Sequence, residues 1–256
     1  MIDTTGFQWL SASCTHVGRV RQINEDACLD QAERGLWAVA DGMGGHTLGD
    51  LASRLVIESL NQLPPAPSLA KLMTDARDRL QTVNRQLLTE AETRGAHIIG
   101  STVVVLLAHG RRCGYLWAGD SRIYLYRGGT LRRLTRDHSQ IEELMSRHQI
   151  TDEDAMTHVA RNLITRAVGV ADFLELEEET MDVFDGDMFM LCSDGLTNEV
   201  PEQDIRKALV SRDCRDAAEA MTDMALQGGG RDNISVVVVR AEDMFSAERT
   251  VLNPAL

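Results

Sequence analysis

The chain has 256 residues, 43% of them hydrophobic and only five of them proline, so it can bury a large core with little disorder. Its 26 basic against 39 acidic residues give a formal charge of −13. That balance argues against nucleic acid or an anionic membrane surface as partner, because both need a basic face.

In chain order, residues 9–17, 27–30 and 36–40 predict three short strands, the third buried. Leu48, Leu51, Ala52, Leu55, Val56 and Leu60 then recur at helical spacing until Pro64-Pro65 stops them. Ser68 is placed to cap a second helix with its apolar face on Leu69, Leu72, Met73, Ala76, Leu80, Val83 and Leu87, ending near Gly95. Beyond it the period changes to that of strands at residues 102–108, 113–118, 123–126 and 131–134, with a hairpin turn at Gly128-Gly129. So closely spaced a meander implies antiparallel pairing. Residues 136–169 are polar and weakly helical, with a thin apolar face of Ile141, Leu144 and Met145, and read as an appended flap. Strands at 174–184 and 188–193, helices at 202–210 and 213–227 and a last strand at 234–239 complete the series. The expectation is one α+β domain over residues 1–242 with a tail at 243–256: two antiparallel sheets packed together with helix pairs outside.

Five cysteines (Cys14, Cys28, Cys113, Cys192, Cys214) are scattered and form no Cys-x-x-Cys pair, which predicts small buried hydrophobes in a reducing compartment. The first residues lack the regions of a signal peptide, and no apolar run approaches the ~20 residues that span a bilayer. A cytoplasmic monomer is expected.

The stretch that organises the rest is Leu36-Trp37-Ala38-Val39-Ala40-Asp41-Gly42-Met43-Gly44-Gly45-His46. An apolar run breaks at an aspartate followed by glycines, which predicts a strand end, a sharp turn and an exposed carbonyl beside a carboxylate. Asp-Gly is also a common turn dipeptide, so this stretch alone leaves the reading open. The construction recurs at residues 188–195, ending in Asp194-Gly195, and nearly recurs at 115–120, ending in Asp120. With Asp26 and Asp232, these aspartates stand at predicted strand ends or beside glycines and can gather at one edge. Gathered carboxylates repel and rise in pKa unless a cation neutralises them. All-oxygen ligation selects Mg²⁺ or Mn²⁺, and so many carboxylates suit two ions better than one.

Six motifs stand in order: Val20-Arg21-Gln22-Ile23-Asn24-Glu25-Asp26, Ala40-Asp41-Gly42-Met43-Gly44-Gly45, Gly100-Ser101-Thr102, Ala118-Gly119-Asp120-Ser121-Arg122, Leu191-Cys192-Ser193-Asp194-Gly195-Leu196 and Gly230-Arg231-Asp232-Asn233. Together they resemble the metal-dependent protein phosphatases of the 2C type, in particular the compact bacterial ones, over nearly the whole chain. The resemblance implies a β-sandwich flanked by helix pairs and hydrolysis of phosphoserine and phosphothreonine in proteins. By it Asp41 bridges two Mn²⁺ or Mg²⁺ ions, the Gly42 carbonyl binds one, and Asp194 and Asp232 bind the other. Glu25 and Asp26 orient metal-bound waters, and Arg21 grips the substrate phosphate. Asp120, with Asp194, would hold a third and weaker ion. An opposing serine/threonine kinase and phosphothreonine-binding modules are the implied partners, beside the phosphorylated proteins themselves.

Bland readings compete with these roles. Arg21 can be a surface arginine, Ser101, Thr102 and Ser121 suit turn and strand-end hydrogen bonds better than nucleophilic attack, and His46, His138 and His158 read as polar surface histidines. Asn233 reads as a hydrogen-bonding support, and the stretch around Thr250 as a solvated end. Two departures matter. Met43 stands where the eukaryotic branch has a histidine general acid, leaving metal-bound water or an unmatched residue such as His46 for that task, or no acid at all for a good leaving group. Asn198 replaces an aspartate that helps hold the third metal in many bacterial members. A catalytically silent phosphoprotein-binding regulator and a hydrolase of small phosphate esters are the alternatives.

Overall fold

A computed structural model describes residues 7–44, 48–147, 163–211 and 213–244. The elements in order are β1 (Phe7–His16), β2 (Asp26–Gln31), β3 (Leu36–Met43), α1 (Leu48–Asn61), α2 (Leu69–Arg94), β4 (Gly100–Ser101), β5 (Val103–His109), β6 (Arg112–Ala118), β7 (Arg122–Arg127) and β8 (Thr130–Arg133). There follow α3 (Gln140–Ser146), β9 (Glu177–Asp182), β10 (Met188–Cys192), α4 (Asp194–Thr197), α5 (Glu202–Ser211), α6 (Cys214–Gly228) and β11 (Ile234–Asp243). One antiparallel sheet runs β1-β11-β10-β7-β8, and the other runs β2-β3-β5-β6-β9 with β4 paired to β3.

The alternation along the strands builds the layers. In β3, Trp37 and Val39 point into the space between the sheets, while Ala38 and Ala40 face the opposite way, toward α1 and α2. Phe189, Leu191, Val237 and Val239 meet them from the other sheet, and the intervening Met188, Met190, Cys192, Val236 and Val238 face α5 and α6. Strands buried on both faces read as continuous apolar runs, and three apolar layers between four structural ones result. The arrangement is the expected α-β-β-α sandwich.

The second helix keeps its predicted limits. Ser68 Oγ accepts from the Lys71 N–H at 3.3 Å, and Gly95 ends the helix in the left-handed region at φ 62°; a cap of this kind contributes about 1 kcal/mol. The predicted strand at 174–184 contracts to Glu177–Asp182, an edge strand whose acidic side chains discourage further pairing. The predicted end of β3 is also corrected. The strand continues through Asp41, Gly42 and Met43, because Gly42 and Met43 pair with Ser101 and Gly100. Gly42 is therefore not a turn glycine. A Cβ there would lie 2.0 Å from the Gly49 carbonyl oxygen, so it is close approach to the start of α1 that demands glycine.

Cys113, Cys192 and Cys214 are buried and no cysteine among the described residues is bridged. Burial pushes the thiols of Cys113 and Cys192 up to about 12, which leaves them unreactive. No helix among the described residues is long and apolar enough to cross a membrane.

Candidate active site

The site assembles at one end of the sandwich from residues far apart in the chain. Register alone brings the first two together: Asp26 of β2 stands directly opposite Asp41 of β3, on the same face of the sheet. Like charges so placed repel, and Asp26 is moreover buried while Asp41 is half-buried. Burial pushes Asp26 up to about 7, with the charges of Asp194 and Asp232 adding to the rise. Asp41 stands well above the usual carboxylate range, again chiefly through burial and then through Asp26, Asp194, Asp120 and Asp232. Asp120 rises to about 7 from burial and the Asp194 charge, and Asp194 rises from burial and Asp232. All five predicted aspartates thus share one field.

The surrounding hydrogen bonds hold main chain more than carboxylate. Thr102 Oγ1 accepts from the Asp41 N–H at 3.1 Å and shares a 2.7 Å bond with Ser121 Oγ, and Ser101 Oγ donates to the Asp41 carbonyl at 3.0 Å. These hydroxyls are committed to the frame, as the bland reading of them holds. Glu25 is fastened through its backbone. Its N–H donates to Asn233 Oδ1 at 2.8 Å and its carbonyl accepts from Gly42 N–H at 3.0 Å. Its carboxylate lies against Gly49, where a Cβ would come within 2.6 Å of Oε1. Asn233 Nδ2 donates to the carbonyls of Val17 and Ile23, so this one amide sews the Arg21 loop to the start of β11. At the rim, the half-exposed Arg21 donates through Nη2 to Asp232 Oδ2 at 2.9 Å, and that bond raises its already high pKa.

Two contacts had no clear sequence signal. Ser193 Oγ donates to Asp26 Oδ2 at 2.7 Å and accepts from the Ser235 N–H, tying Asp26 of one sheet to β10 and β11 of the other. Its only clue was its position next to Asp194. Arg122 makes a two-pronged pair with Asp137 at 2.6–3.1 Å and pulls the Asp194 pKa down against burial. Asn198 donates to Asp194 Oδ2 at 3.0 Å, so its side chain does face the outer part of the cluster. His138 is not a surface histidine but 95% buried, lying flat on Trp117. His46 and His158 lie outside the described residues, as do the centre of the expected flap and the end of the chain at 245–256.

The residues present fit hard cations. Asp26 Oδ1 is buried with no hydrogen-bond partner, an arrangement that costs about 1–3 kcal/mol or more unless something positive meets it. The donors are all oxygen. No three of the described His, Cys, Asp and Glu side chains already close into a ligand cage, so these carboxylates share a field across a more open arrangement.

Comparison with known proteins adds an independent line. A family model described as protein phosphatase 2C matches residues 13–229. The serine/threonine protein phosphatase PstP of Mycobacterium tuberculosis is 38% identical over 233 residues; the match takes in 88% of this chain, which spans only 44% of that relative's length. Among solved structures, PppA, a key regulatory component of the T6SS in Pseudomonas aeruginosa, superposes with a TM-score of 0.86 at 44% identity, covering 91% of this chain and 97% of that one. The catalytic domain of serine/threonine protein phosphatase PstP in complex with two manganese ions superposes with a TM-score of 0.84 at 33% identity, covering 93% of this chain and all of that one.

Proposed function

Since the chain belongs to the protein phosphatase 2C family, we propose that it hydrolyses phosphoserine and phosphothreonine in proteins and opposes a serine/threonine kinase. The observation that carries this reading is the convergence of Asp26, Asp41, Asp120, Asp194 and Asp232 into one field, with the orphaned Asp26 Oδ1 inside it and Arg21 at its rim. The chemistry supplied by two bound Mn²⁺ or Mg²⁺ ions is activation of water and neutralisation of phosphoryl charge.

In this reading Asp41, the Gly42 carbonyl, Asp194 and Asp232 would hold the two tight ions, and Asp120 with Asp194 would hold a weaker third. The chain's own residues do the rest. Asp26, steadied by Ser193 on one oxygen, has the other left to accept from a reacting water. Glu25, held through its backbone by Asn233 with its carboxylate against Gly49, would orient a second water. Arg21 uses one nitrogen on Asp232 and so presents its guanidinium edge in a fixed orientation at the mouth, suited to two-pronged contact with a phosphoryl group. The local positive charge of guanidinium and cations answers how a chain of net charge −13 receives an anion. Phosphorylated proteins, the opposing kinase and phosphothreonine-binding modules follow as partners. A cytoplasmic monomer is consistent with this role.

The test is turnover of a phosphothreonine peptide. Added Mn²⁺ or Mg²⁺ should be required and a chelator should abolish activity while circular dichroism stays native. Asp194→Asn should lower kcat by several orders of magnitude. Full turnover in metal-free buffer would end the reading.

A further inference from the structure

His138 binds the turn that carries Asp120. That turn, between β6 and β7, is pressed against the frame: Gly119 has φ +112°, and a Cβ on it would come within 2.6 Å of Thr102 Cβ. Both polar groups of Gly119 go to one residue. The His138 N–H donates to the Gly119 carbonyl at 2.8 Å, and His138 Nδ1 accepts from the Gly119 N–H at 3.2 Å. An accepting Nδ1 places the ring proton on Nε2, which faces Glu177 Oε1 at 3.2 Å, with Arg166 Nη1 at 3.5 Å. The ring lies parallel to Trp117, 8° apart with centroids at 6.1 Å. Burial holds the imidazole below the ordinary histidine range, in keeping with the neutral form.

We propose that His138 is a positioning residue: through Nδ1 it fixes the Gly119 peptide, and thereby sets where Asp120 stands relative to Asp194 and how tightly the outer cation position binds. The inference rests on the reading of Asp120 as a ligand carboxylate. A buried histidine that merely packs well would matter only for stability, and two substitutions separate the cases. His138→Asn keeps an acceptor, its Oδ1, near the place of Nδ1. His138→Gln keeps a donor near the place of Nε2 but leaves the Gly119 N–H without its acceptor. Both lose the ring on Trp117 and should melt at similarly lowered temperatures.

The experiment titrates Mn²⁺ into the metal-free full chain by calorimetry, with Asp120→Asn as the reference for a lost outer site. The tight pair should stay unchanged throughout. Outer binding should weaken about tenfold in His138→Gln, the worth of one hydrogen bond, and less than about twofold in His138→Asn. In the unsubstituted chain, the Gly119 amide resonance should move with filling of the outer site by Mg²⁺, a readout that needs no variant to fold. Equal outer affinities in the two variants, or a still Gly119 resonance, overturn the proposal. An unsubstituted chain that takes up no metal at all overturns the functional reading together with it.

Discussion

Removing metal should make this protein less stable as the pH rises, the opposite of what paired carboxylates do. Asp26 titrates at about 7 in the folded chain against an ordinary aspartate's 3.8. A raised folded value means that the native state holds the proton more tightly. The associated stability is fully present below pH 4 and is lost as the pH climbs through 7. Three pH units at about 1.4 kcal/mol each make the whole effect about 4 kcal/mol, of which more than half falls between pH 5 and pH 8. Asp41, Asp120 and Asp194 share the field, so the figure belongs to the cluster and is not to be multiplied by its members. The assay is urea unfolding of the chelator-treated chain at both pH values, beside Asp26→Asn, which cannot ionise. Taking the difference between the two proteins cancels titrating groups outside the cluster, and what remains reports the cluster as Asp26 shapes it. That difference should move against the native chain by roughly 2–3 kcal/mol between pH 5 and pH 8, and Mn²⁺ at pH 8 should restore the native chain's stability. A difference that does not change with pH would refute the account of Asp26 as a buried, orphaned carboxylate.

Other outcomes follow from the same geometry. Arg21→Ala should raise KM for a phosphopeptide more than it lowers kcat, with tight-metal affinity unchanged by calorimetry; an unaltered KM would make Arg21 a surface residue paired with Asp232 and nothing more. Gly42→Ala should destabilise the fold by about 3 kcal/mol in chemical denaturation, because its Cβ would overlap the Gly49 carbonyl. Asn198→Asp turns an amide bonded to Asp194 into a second charge, so the metal dependence of turnover should shift to lower concentration; an unmoved curve would place no cation there. Exchanging residues 140–163 for a short linker, which leaves Asp137 on Arg122 and His138 on Gly119, should spare hydrolysis of a small aryl phosphate and alter selectivity among phosphopeptides, and identical peptide preferences would count against a sorting role for that segment.

The strand-end aspartates of the candidate site, the layered fold and the limits of α2 were legible in the sequence because each is a local signal. An apolar run broken by Asp-Gly marks a special strand position wherever it occurs, Ser68 and Gly95 mark helix ends by their own chemistry, and periods of 2 and 3.6 separate strands from helices. The reason for Gly42 was not legible. Sequence suggested a turn, whereas the demand comes from Gly49 of another element passing against it. His138 was misread for a similar cause. A lone histidine in a polar stretch looks solvated until β6 and β9 supply Trp117 on its face and Glu177 at its tip.

What the sequence by itself determined is therefore the inventory: which side chains could bind a hard cation, in which elements, in what kind of fold. What only the tertiary structure decided is their mutual placement. Asp26 faces Asp41 because β2 and β3 pair in one register and not the next, and a slip of one residue would send Asp26 to the other face of the sheet. Ser193 reaches Asp26 because two sheets meet there, and Asn233 ties three points of the one loop between β1 and β2 to the start of β11. Such contacts join residues up to 216 positions apart. No local propensity encodes them; they are selected by the burial of the apolar layers, which fixes how the sheets stack and so where their polar ends converge.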